Sequence, residues 1–525
     1  MVVPELRPWR AARPHLARVA SAVRPRLARA AAAAAPRVTR VGRAMTAQVT
    51  RPKTWQYTAG AATAGLALAA SVVTAAGPWD SSGQRTAERD RAAAQGHTGG
   101  ADHGRSSATT SRAPRPAPSA ASVLTGLGGA ADSVRTAPTG KALTDVLTPL
   151  LDAPALGARR TAAVVDVTTG KRLYGVGADE AFIPASTTKI ATAVAALSAL
   201  GPDHRLTTRA ALEPDTKELV LVGGGDPTLT ARKDAEGWAS LHTLAADTAA
   251  ALKKEGLAKV TLSYDTTLYE GNEIHPIGVN DNLAPVSALM ADEGRTDDST
   301  SGPAPRVTDP AADAARTFAD LLKDHGITTT SPGPSKATGR AETLATVSSP
   351  PLSALVERML TNSDNDLAEA LARQTAVAAG ERADFDGAGR AIHDRLKKLR
   401  LPVAGAQFKD GSGLNRDDRL TTGLLTALLA TSGDPSHPEL RPVLTGLPVA
   451  GFTGTLTSRY TDGAAGIVRA KTGTLTGVNA LAGTVVDQDG HLLAFAFLAS
   501  ETMDPGAAQT ALDRTATALA ACGCA

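Results

Sequence analysis

Three short polar motifs occur in a fixed order along this 525-residue chain and constrain its fold more than any other feature. They are Ser186-Thr-Thr-Lys189, Ser363-Asp-Asn365 and Lys471-Thr-Gly473. The first lies at the start of an apolar run with helical spacing, the second in a turn between two predicted helices and the third on a predicted strand. Each motif alone is weak evidence. The ordered set predicts a fold that brings three distant segments to one site.

The residue types of the first motif suit nucleophilic acyl transfer. Serine is a weak nucleophile at its ordinary pKa and needs a neighbouring base. Positions i and i+3 share one face of a helix, so Lys189 can reach the Ser186 hydroxyl. Because a base must be neutral, we expect burial and the nearby cation Lys471 to lower the pKa of Lys189. Ser186 is therefore the predicted nucleophile and Lys189 its predicted base.

The other two motifs supply the remaining predicted roles. Ser363 is expected to relay a proton towards the leaving amine, and Asn365 to hold a substrate amide through its donor and its acceptor. Lys471 supplies positive charge for a terminal carboxylate, and Thr472 or Thr474 adds a hydroxyl donor. A strand that carries a lysine among apolar residues favours a role in the site for that lysine.

Two backbone N–H groups, those of Ser186 and Thr474, are expected to form the oxyanion hole. The position of Ser186 at a helix N-terminus also aims the helix dipole at the developing negative charge. No metal or cofactor is needed, and no cluster of histidines suggests one. The predicted catalytic residues are Ser186, Lys189 and Ser363, and the predicted substrate-binding residues are Asn365, Lys471, Thr472, Gly473 and Thr474.

Strands and helices alternate over the second part of the chain. Residues 201–346 look different from their surroundings, with short strands and loops and one late helix. The predicted strands are 160–167, 172–176, 218–222, 259–263, 466–473, 478–487 and 491–500, and the predicted helices are 190–200, 311–325, 352–360, 366–379 and 504–521.

With these motifs the chain resembles a known family, the serine D-alanyl-D-alanine carboxypeptidases and endopeptidases called class C low-molecular-mass penicillin-binding proteins. The resemblance covers roughly residues 145–520. It includes the stretch 410–414 with Arg416, although Asn415 stands where the family has serine. Further matching segments are 224–229, 284–289, 349–352 and 452–456.

The resemblance implies an α/β (α+β) fold: a β-lactamase/transpeptidase-like domain whose antiparallel sheet is flanked by helices. It also implies an inserted domain between the S-x-x-K and S-x-N motifs, since 177 residues separate Ser186 from Ser363. We expect one full inserted domain and a reduced or absent second one. The predicted catalytic domain comprises residues 143–203 and 346–525, and the predicted insertion residues 204–345.

The resemblance also implies a reaction. Ser186 attacks the carbonyl between two D-alanines of a peptidoglycan stem peptide and releases the last one, and water then hydrolyses the acyl-enzyme. Some family members instead cut the cross-link between two stem peptides. Penicillin and other β-lactam antibiotics would act as inhibitors by leaving a long-lived acyl-Ser186.

The charge and hydropathy pattern of the N-terminal residues predicts export. Residues 1–56 are basic, and residues 57–77 form an uncharged apolar run long enough to span a bilayer, either as a retained anchor or as a cleaved signal peptide. Residues 78–142 predict a disordered linker. The expected location is extracytoplasmic, on the membrane or secreted to the cell wall.

Charge argues against a nucleic-acid partner. Residues 1–77 carry twelve Lys or Arg and one acid, Glu5, a net charge of +11 within a chain total of +3, so the remainder is −8. A nucleic-acid partner would require a basic face on the folded part.

Two rival functions stay open at this point. A class A β-lactamase would need a deacylating glutamate in an E-x-x-L-N stretch, and residues 366–470 contain none. A non-catalytic penicillin sensor need not keep Lys189. Both observations favour a carboxypeptidase. Cys522 and Cys524 are too close in sequence for a disulfide between them to stabilise a fold, and a frayed tail is expected there.

Overall fold

The computed structural model describes residues 138–460 and 463–523. The predicted basic region 1–56, the apolar segment 57–77 and nearly all of the predicted linker lie outside the described residues. The first helix of the described residues, α1 (Gly140–Leu151), begins inside the last residues of that linker. Within the described ranges, no helix combines the length and the apolar character that a membrane span requires.

A five-stranded antiparallel sheet forms the centre of the domain that carries the three motifs. Its strand order is β2-β1-β11-β10-β9, which places the N-terminal hairpin beside the three C-terminal strands. The central strands are buried on both faces and therefore consist almost entirely of apolar residues. The strands are β1 (Arg159–Asp166), β2 (Arg172–Val176), β9 (Arg469–Leu475), β10 (Val478–Val486) and β11 (Leu492–Ser500).

The two faces of this sheet carry side chains of different size, because successive residues of a strand point to opposite faces. Small residues such as Ala482 and Ala496 pack into a core shared with the helices of the motif-bearing side. Large residues such as Phe495 and Phe497 pack into a second core with α1 and the C-terminal helix. Alanine on the first face lets helices approach the sheet closely. The sequence thus places the closely packed helices on the face where the motifs meet.

The helices have the following bounds: α1 (Gly140–Leu151), α2 (Thr188–Leu200), α3 (Leu241–Lys254), α4 (Pro310–Asp324), α5 (Leu352–Asn362), α6 (Asn365–Ala379), α7 (Phe385–Lys398), α8 (Thr422–Gly433), α9 (Arg441–Thr445) and α10 (Pro505–Ala520). Those predicted from the sequence agree with these bounds within two residues. Helix α3 lies in the region predicted as short strands and loops, so that prediction was wrong there. Its buried face combines Leu244 and Leu252 with small residues, Ala245, Thr248 and Ala249, and such residues give a weak periodic signal.

A second sheet lies between the first and second motifs. Its strand order is β6-β5-β4-β3-β8, with β7 also paired to β5, and helices α3 and α4 pack on it. Thr207 pairs with Ser348, so the chain enters and leaves this inserted domain at neighbouring positions. The predicted boundary at residue 345 falls within β8. The strands are β3 (Thr207–Leu212), β4 (Glu218–Val222), β5 (Lys259–Asp265), β6 (Thr328–Thr329), β7 (Gly333–Pro334) and β8 (Glu342–Ser348).

A long segment, residues 266–309, connects β5 to α4 and contains little regular structure beyond a short helical turn at Asp292–Gly294. It packs against the motif-bearing domain through Arg373 of α6, which donates hydrogen bonds to the backbone oxygens of Glu270 and Asn272. The insertion therefore contributes residues near the motifs as well as a separate sheet.

The C-terminal residues complete the second core. Cys522 is 5% exposed and packs in that core, and its carbonyl oxygen accepts a hydrogen bond from the Gln488 backbone N–H. The expected frayed tail is therefore wrong for Cys522, because α10 carries the chain back onto the sheet.

Candidate active site

Ser186 lies in a single 3₁₀ turn, Ala185–Thr187, that leads directly into α2. The nucleophile candidate thus precedes the α-helix, and Lys189 is the second residue of that helix. Ala185 has a φ of 47°, a left-handed conformation that is unfavourable for a residue with a Cβ and that is typical of functional turns. This bend sets Ser186 at the edge of the cleft, half-buried, while Lys189 lies beneath it.

Lys189 is completely buried and has three hydrogen-bond partners. Its Nζ lies 3.1 Å from Ser186 Oγ, 2.7 Å from Asn365 Oδ1 and 2.7 Å from the Ser412 carbonyl oxygen. A neutral amine has two N–H groups and one lone pair. Since the Asn365 and Ser412 oxygens can only accept, they take the two N–H groups and leave the lone pair facing Ser186. This geometry suits proton removal from the serine hydroxyl.

Burial lowers the pKa of Lys189 to about 8. Four buried carboxyls act in the opposite direction and raise this pKa: those of Asp410, Glu369, Asp364 and Asp418. The sequence predicted that Lys471 would also lower the pKa of Lys189, but Lys471 is not among the main causes of this shift. Instead, burial and the charge of Lys189 hold the pKa of Lys471 well below its usual range.

Ser363 and Asn365 occupy the tight turn between α5 and α6. Ser363 has φ 59° and ψ 39°, a left-handed position at the end of α5, and Asp364 caps α6 by accepting a hydrogen bond from the Leu367 backbone N–H. The side chain of Asn365 is fixed at both ends, because Nδ2 donates to the Asn282 carbonyl and Oδ1 accepts from Lys189. Asn282 belongs to residues 266–309, the inserted segment between β5 and α4. This segment therefore helps to orient a predicted substrate-binding residue.

Lys471 is completely buried on β9, at the edge of the sheet. Its Nζ donates to Ser363 Oγ over 2.8 Å and to the Thr472 carbonyl over 2.9 Å. The second motif therefore contacts the third through Ser363 and Lys471. It contacts the first through Asn365 and Lys189.

The rest of the K-T-G strand closely approaches the turn that carries Ser186. A Cβ on Gly473 would lie 2.9 Å from the Pro184 carbonyl oxygen, which explains a glycine at this position. Thr472 donates its hydroxyl hydrogen to Thr455, and Thr474 accepts a weak hydrogen bond from Gln509 over 3.4 Å.

These residues surround a cleft of about 280 Å³. Ser186, Ser363, Asn365 and Thr474 line it, whereas Lys189 and Lys471 lie buried behind its wall. The opposite side of the cleft comes from the inserted segment, and it includes Asn282, Arg295, Ser301, Gly302, Pro303 and Arg306.

Two buried polar clusters support the site, and the sequence reasoning assigned no role to either. In the first, His275 Nε2 lies 2.9 Å from Asp410 Oδ2, with Glu369 beside them. In the second, Glu293, Asp364 and Asp366 lie close together, and their charge is balanced by arginines. The balancing side chains are Arg295, Arg306 and Arg358.

The donor atoms of both clusters resemble those of metal sites, but they already contact protein groups. The Glu369 carboxylate accepts backbone N–H groups, and Arg306 Nη1 lies 2.9 Å from Asp366 Oδ2. Burial raises the pKa of Asp366 to about 7. The only sequence signal for these clusters was the 410–414 stretch, because the contacts depend on the tertiary fold.

The site and the fold together define a class of protein: an α/β serine hydrolase built on a β-lactamase/transpeptidase-like domain. Residues 143–305 and 298–519 match the model of the D-Ala-D-Ala carboxypeptidase 3 (S13) family. The chain belongs to this family and is a serine peptidase, an enzyme that acts outside the cytoplasm.

Similar proteins occur in several bacteria. A carboxypeptidase of Mycobacterium tuberculosis is 35% identical over 426 residues, which are 79% of this chain and 91% of that protein. The carboxypeptidase DacB of Mycolicibacterium smegmatis is 36% identical over 402 residues, which are 74% of this chain and 85% of the relative. A D-alanyl-D-alanine carboxypeptidase of an Actinomadura species is 29% identical over 433 residues, or 65% and 78% of the two chains.

Among solved structures, penicillin-binding protein 4 (DacB) of Haemophilus influenzae superposes with a TM-score of 0.59. The alignment is 20% identical and covers 72% of this chain and 98% of that one. This likeness confirms the predicted fold class.

Proposed function

We propose that this protein is a serine-type D-Ala-D-Ala carboxypeptidase that trims peptidoglycan stem peptides through an acyl-Ser186 intermediate. The observation that carries the proposal is the 3.1 Å contact between Lys189 Nζ and Ser186 Oγ. A completely buried lysine whose pKa is lowered to about 8 is partly neutral near neutral pH, so it can act as a base there.

The proposed acylation step uses the neighbouring groups in turn. Lys189 accepts the hydroxyl proton of Ser186 as the serine attacks the carbonyl between the two D-alanines. The backbone N–H groups of Ser186 and Thr474 stabilise the oxyanion. The proton taken by Lys189 passes to the leaving amine through the hydroxyl of Ser363, which Lys471 holds over 2.8 Å, so D-alanine departs and Lys189 is neutral again. A water molecule then hydrolyses the ester by the reverse use of the same groups.

The remaining motif residues are proposed to hold the substrate. Asn365 presents an amide to the peptide backbone, and Lys471 with the hydroxyl of Thr472 or Thr474 attracts the terminal carboxylate. Gly473 keeps β9 close to the Ser186 turn. These roles require no cofactor or metal.

The names of similar proteins support the substrate and the inhibitor. The Actinomadura relative is named for D-alanyl-D-alanine, and one structure of the Haemophilus influenzae protein is a complex with a β-lactam. We therefore propose stem peptides as substrates and β-lactam antibiotics as acylating inhibitors of this chain. Cleavage of cross-links between stem peptides is a second activity that the same chemistry would allow.

The N-terminal region is proposed to place the enzyme at the cell wall. Residues 57–77 would act as a membrane anchor or as a cleaved signal peptide, and residues 78–142 as a linker. Residues 143–203 and 346–525 would form the catalytic domain around an insertion at 204–345. Sequencing the mature N-terminus from membrane and culture-medium fractions separates the two forms, since only cleavage removes residues before position 78.

The direct test measures D-alanine release from diacetyl-Lys-D-Ala-D-Ala by the full chain and by its Ser186→Ala variant. We expect release by the wild-type protein and none by the variant. Labelling by a fluorescent penicillin without D-alanine release would instead favour an endopeptidase or a penicillin sensor. Absence of both release and labelling would refute the proposal.

A further inference from the structure

Glu369 is a buried carboxylate directly behind the active site. It lies on α6 one turn after Asn365 and is 1% exposed. Its Oε1 accepts a hydrogen bond from the Ser412 backbone N–H over 2.9 Å, and the carboxylate also accepts the Gly411 N–H over 3.1 Å. Glu369 therefore fixes two consecutive peptide groups of the 410–415 loop.

A second carboxylate, that of Asp410, fixes the remainder of this loop. Oδ1 accepts from the Gly413 N–H and Oδ2 from the Asn415 N–H, each over 2.6 Å. His275 of the inserted segment contacts Asp410 Oδ2 over 2.9 Å. Helix α2 holds the loop from its other side, where the Thr192 hydroxyl donates to the Gly411 carbonyl over 2.6 Å. The loop thus has little freedom to move relative to α2.

This fixation matters because the Ser412 carbonyl is one of the two oxygens that take an N–H group of Lys189. Asn365 provides the other. If the Ser412 carbonyl moved, the amine could rotate about its last bond and turn its lone pair away from Ser186. A misplacement of about 1 Å in such a group can lower a rate by about 100-fold.

The same cluster sets the charge around Lys189. The groups that face it are the carboxyls of Asp410, Glu369, Asp364 and Asp418 and the amino group of Lys471. The negative charge of Glu369 raises the pKa of Lys189 and so opposes the effect of burial. Loss of that charge would lower this pKa further.

We propose that Glu369 is a positioning residue for acyl transfer, which acts with Asp410 and His275 to hold the Ser412 carbonyl against Lys189 and so to aim the amine at Ser186. The proposal rests on the function proposed above. It also gives the insertion a part in catalysis, since His275 lies in the segment between β5 and α4.

The test compares acylation of the full chain and its Glu369→Gln variant by a fluorescent penicillin, across a pH range on both sides of 8, the approximate pKa of Lys189. Glutamine keeps the size of the side chain and one acceptor oxygen but removes the charge. We expect the maximal rate to fall about tenfold. The midpoint of the pH profile should move to lower pH, and the half-saturating penicillin concentration should stay the same because Glu369 does not line the cleft.

A matched control is Asp487→Asn, in the turn between β10 and β11. Asp487 is also a buried carboxylate that accepts two backbone N–H groups, those of Asp489 and His491, but this turn does not line the cleft. This variant should lose thermal stability while the acylation rate and the midpoint of its pH profile stay at the wild-type values. A Glu369→Gln protein that behaves like the control would show that Glu369 has a structural role alone, and the proposal would be wrong.

A second variant keeps the test decisive if Glu369→Gln does not fold. His275→Asn removes the contact with Asp410 from the opposite side, and it should lower the maximal acylation rate about threefold or more at an unchanged half-saturating concentration. A wild-type rate in this variant would also overturn the proposal. Wild-type protein that is not labelled at all would refute the proposed function instead, so the two failures are distinguishable.

Discussion

At the scale of single residues, the proposed chemistry depends on the protonation state of Lys189. Because burial lowers its pKa to about 8, the protonated form dominates below that pH and cannot accept the Ser186 proton. We therefore expect the acylation rate to rise with pH, about tenfold per pH unit well below 8, and to level off above it. Penicillin labelling rates measured across this range check the prediction. A rate that is independent of pH below 8 would rule out Lys189 as the base.

Ser363 has a different part, which its own substitution should reveal. Its hydroxyl is the acceptor for the buried Lys471, and alanine would remove both this acceptor and the proposed proton relay. We expect Ser363→Ala to lower D-alanine release about 100-fold, in the range typical of general acid–base groups. Ser353→Ala, on the preceding helix and away from the cleft, is the control and should retain activity. A loss smaller than about threefold in Ser363→Ala would contradict the relay.

At the scale of elements, the 410–415 loop must pass very close to the turn that carries Ser186. Gly413 has a φ of +83°, and a Cβ there would lie 1.9 Å from the Ala185 carbonyl oxygen. We expect Gly413→Ala to destabilise the protein by about 3 kcal/mol, as backbone strain of roughly 1 kcal/mol and a steric clash add together, and to impair acylation through displacement of the Ser412 carbonyl.

Gly405→Ala is the matched control for this change. Gly405 has a similar φ of +76°, but its nearest atom would be the Ala181 Cβ at 3.8 Å. The Gly405→Ala change should lower the free energy of unfolding by about 1 kcal/mol through backbone strain and leave acylation unchanged. Denaturant unfolding measures both losses of stability. Equal losses in the two variants would show that the close approach to Ala185 is unimportant.

The sequence predicted most elements of the catalytic domain because their signals are local. Strands β10 and β11 are apolar runs bounded by turns, and their ends agree with the prediction within one residue. Helix α7 was not predicted, since Gly387 and Gly389 lower its helical signal. The structure gives a reason for these glycines: a Cβ on Gly389 would lie 2.1 Å from the Phe408 carbonyl oxygen. Packing requirements between elements therefore hid a helix from sequence reasoning.

In the candidate site too, features with a local sequence signal could be predicted and features that depend on the tertiary fold could not. The motif residues could be found because chemistry demands particular side chains at fixed spacing, and the structure brings Ser186, Lys189, Ser363, Asn365 and Lys471 together. The Ser412 partner of Lys189 is a backbone carbonyl, and any residue has one. His275 contacts Asp410 although 135 residues separate the two along the chain. Neither contact has a local sequence signal.

At the scale of the whole molecule, the insertion contacts the catalytic domain at further places besides the two points where the chain enters and leaves it. Arg373 of α6 is 1% exposed and donates to three backbone carbonyls, those of Glu270, Asn272 and Ala383. Its guanidinium also lies over the ring of Phe385, 4.7 Å from the ring centre. The planar arginine fork is suited to this set of acceptors, and a lysine ammonium on a single atom is not.

We therefore expect Arg373→Lys to destabilise the protein by about 2 kcal/mol, because buried carbonyls lose their donors. Arg390→Lys is the control: Arg390 is exposed and pairs with Glu381, so its loss should cost about 0.5 kcal/mol or less. Unfolding in guanidinium chloride measures both losses of stability. Since the segment that Arg373 holds leads directly to His275, Arg373→Lys should also slow penicillin acylation. If stability fell and acylation did not, the link from the insertion to Lys189 would have to run through another contact, such as the hydrogen bond between Asn282 and Asn365.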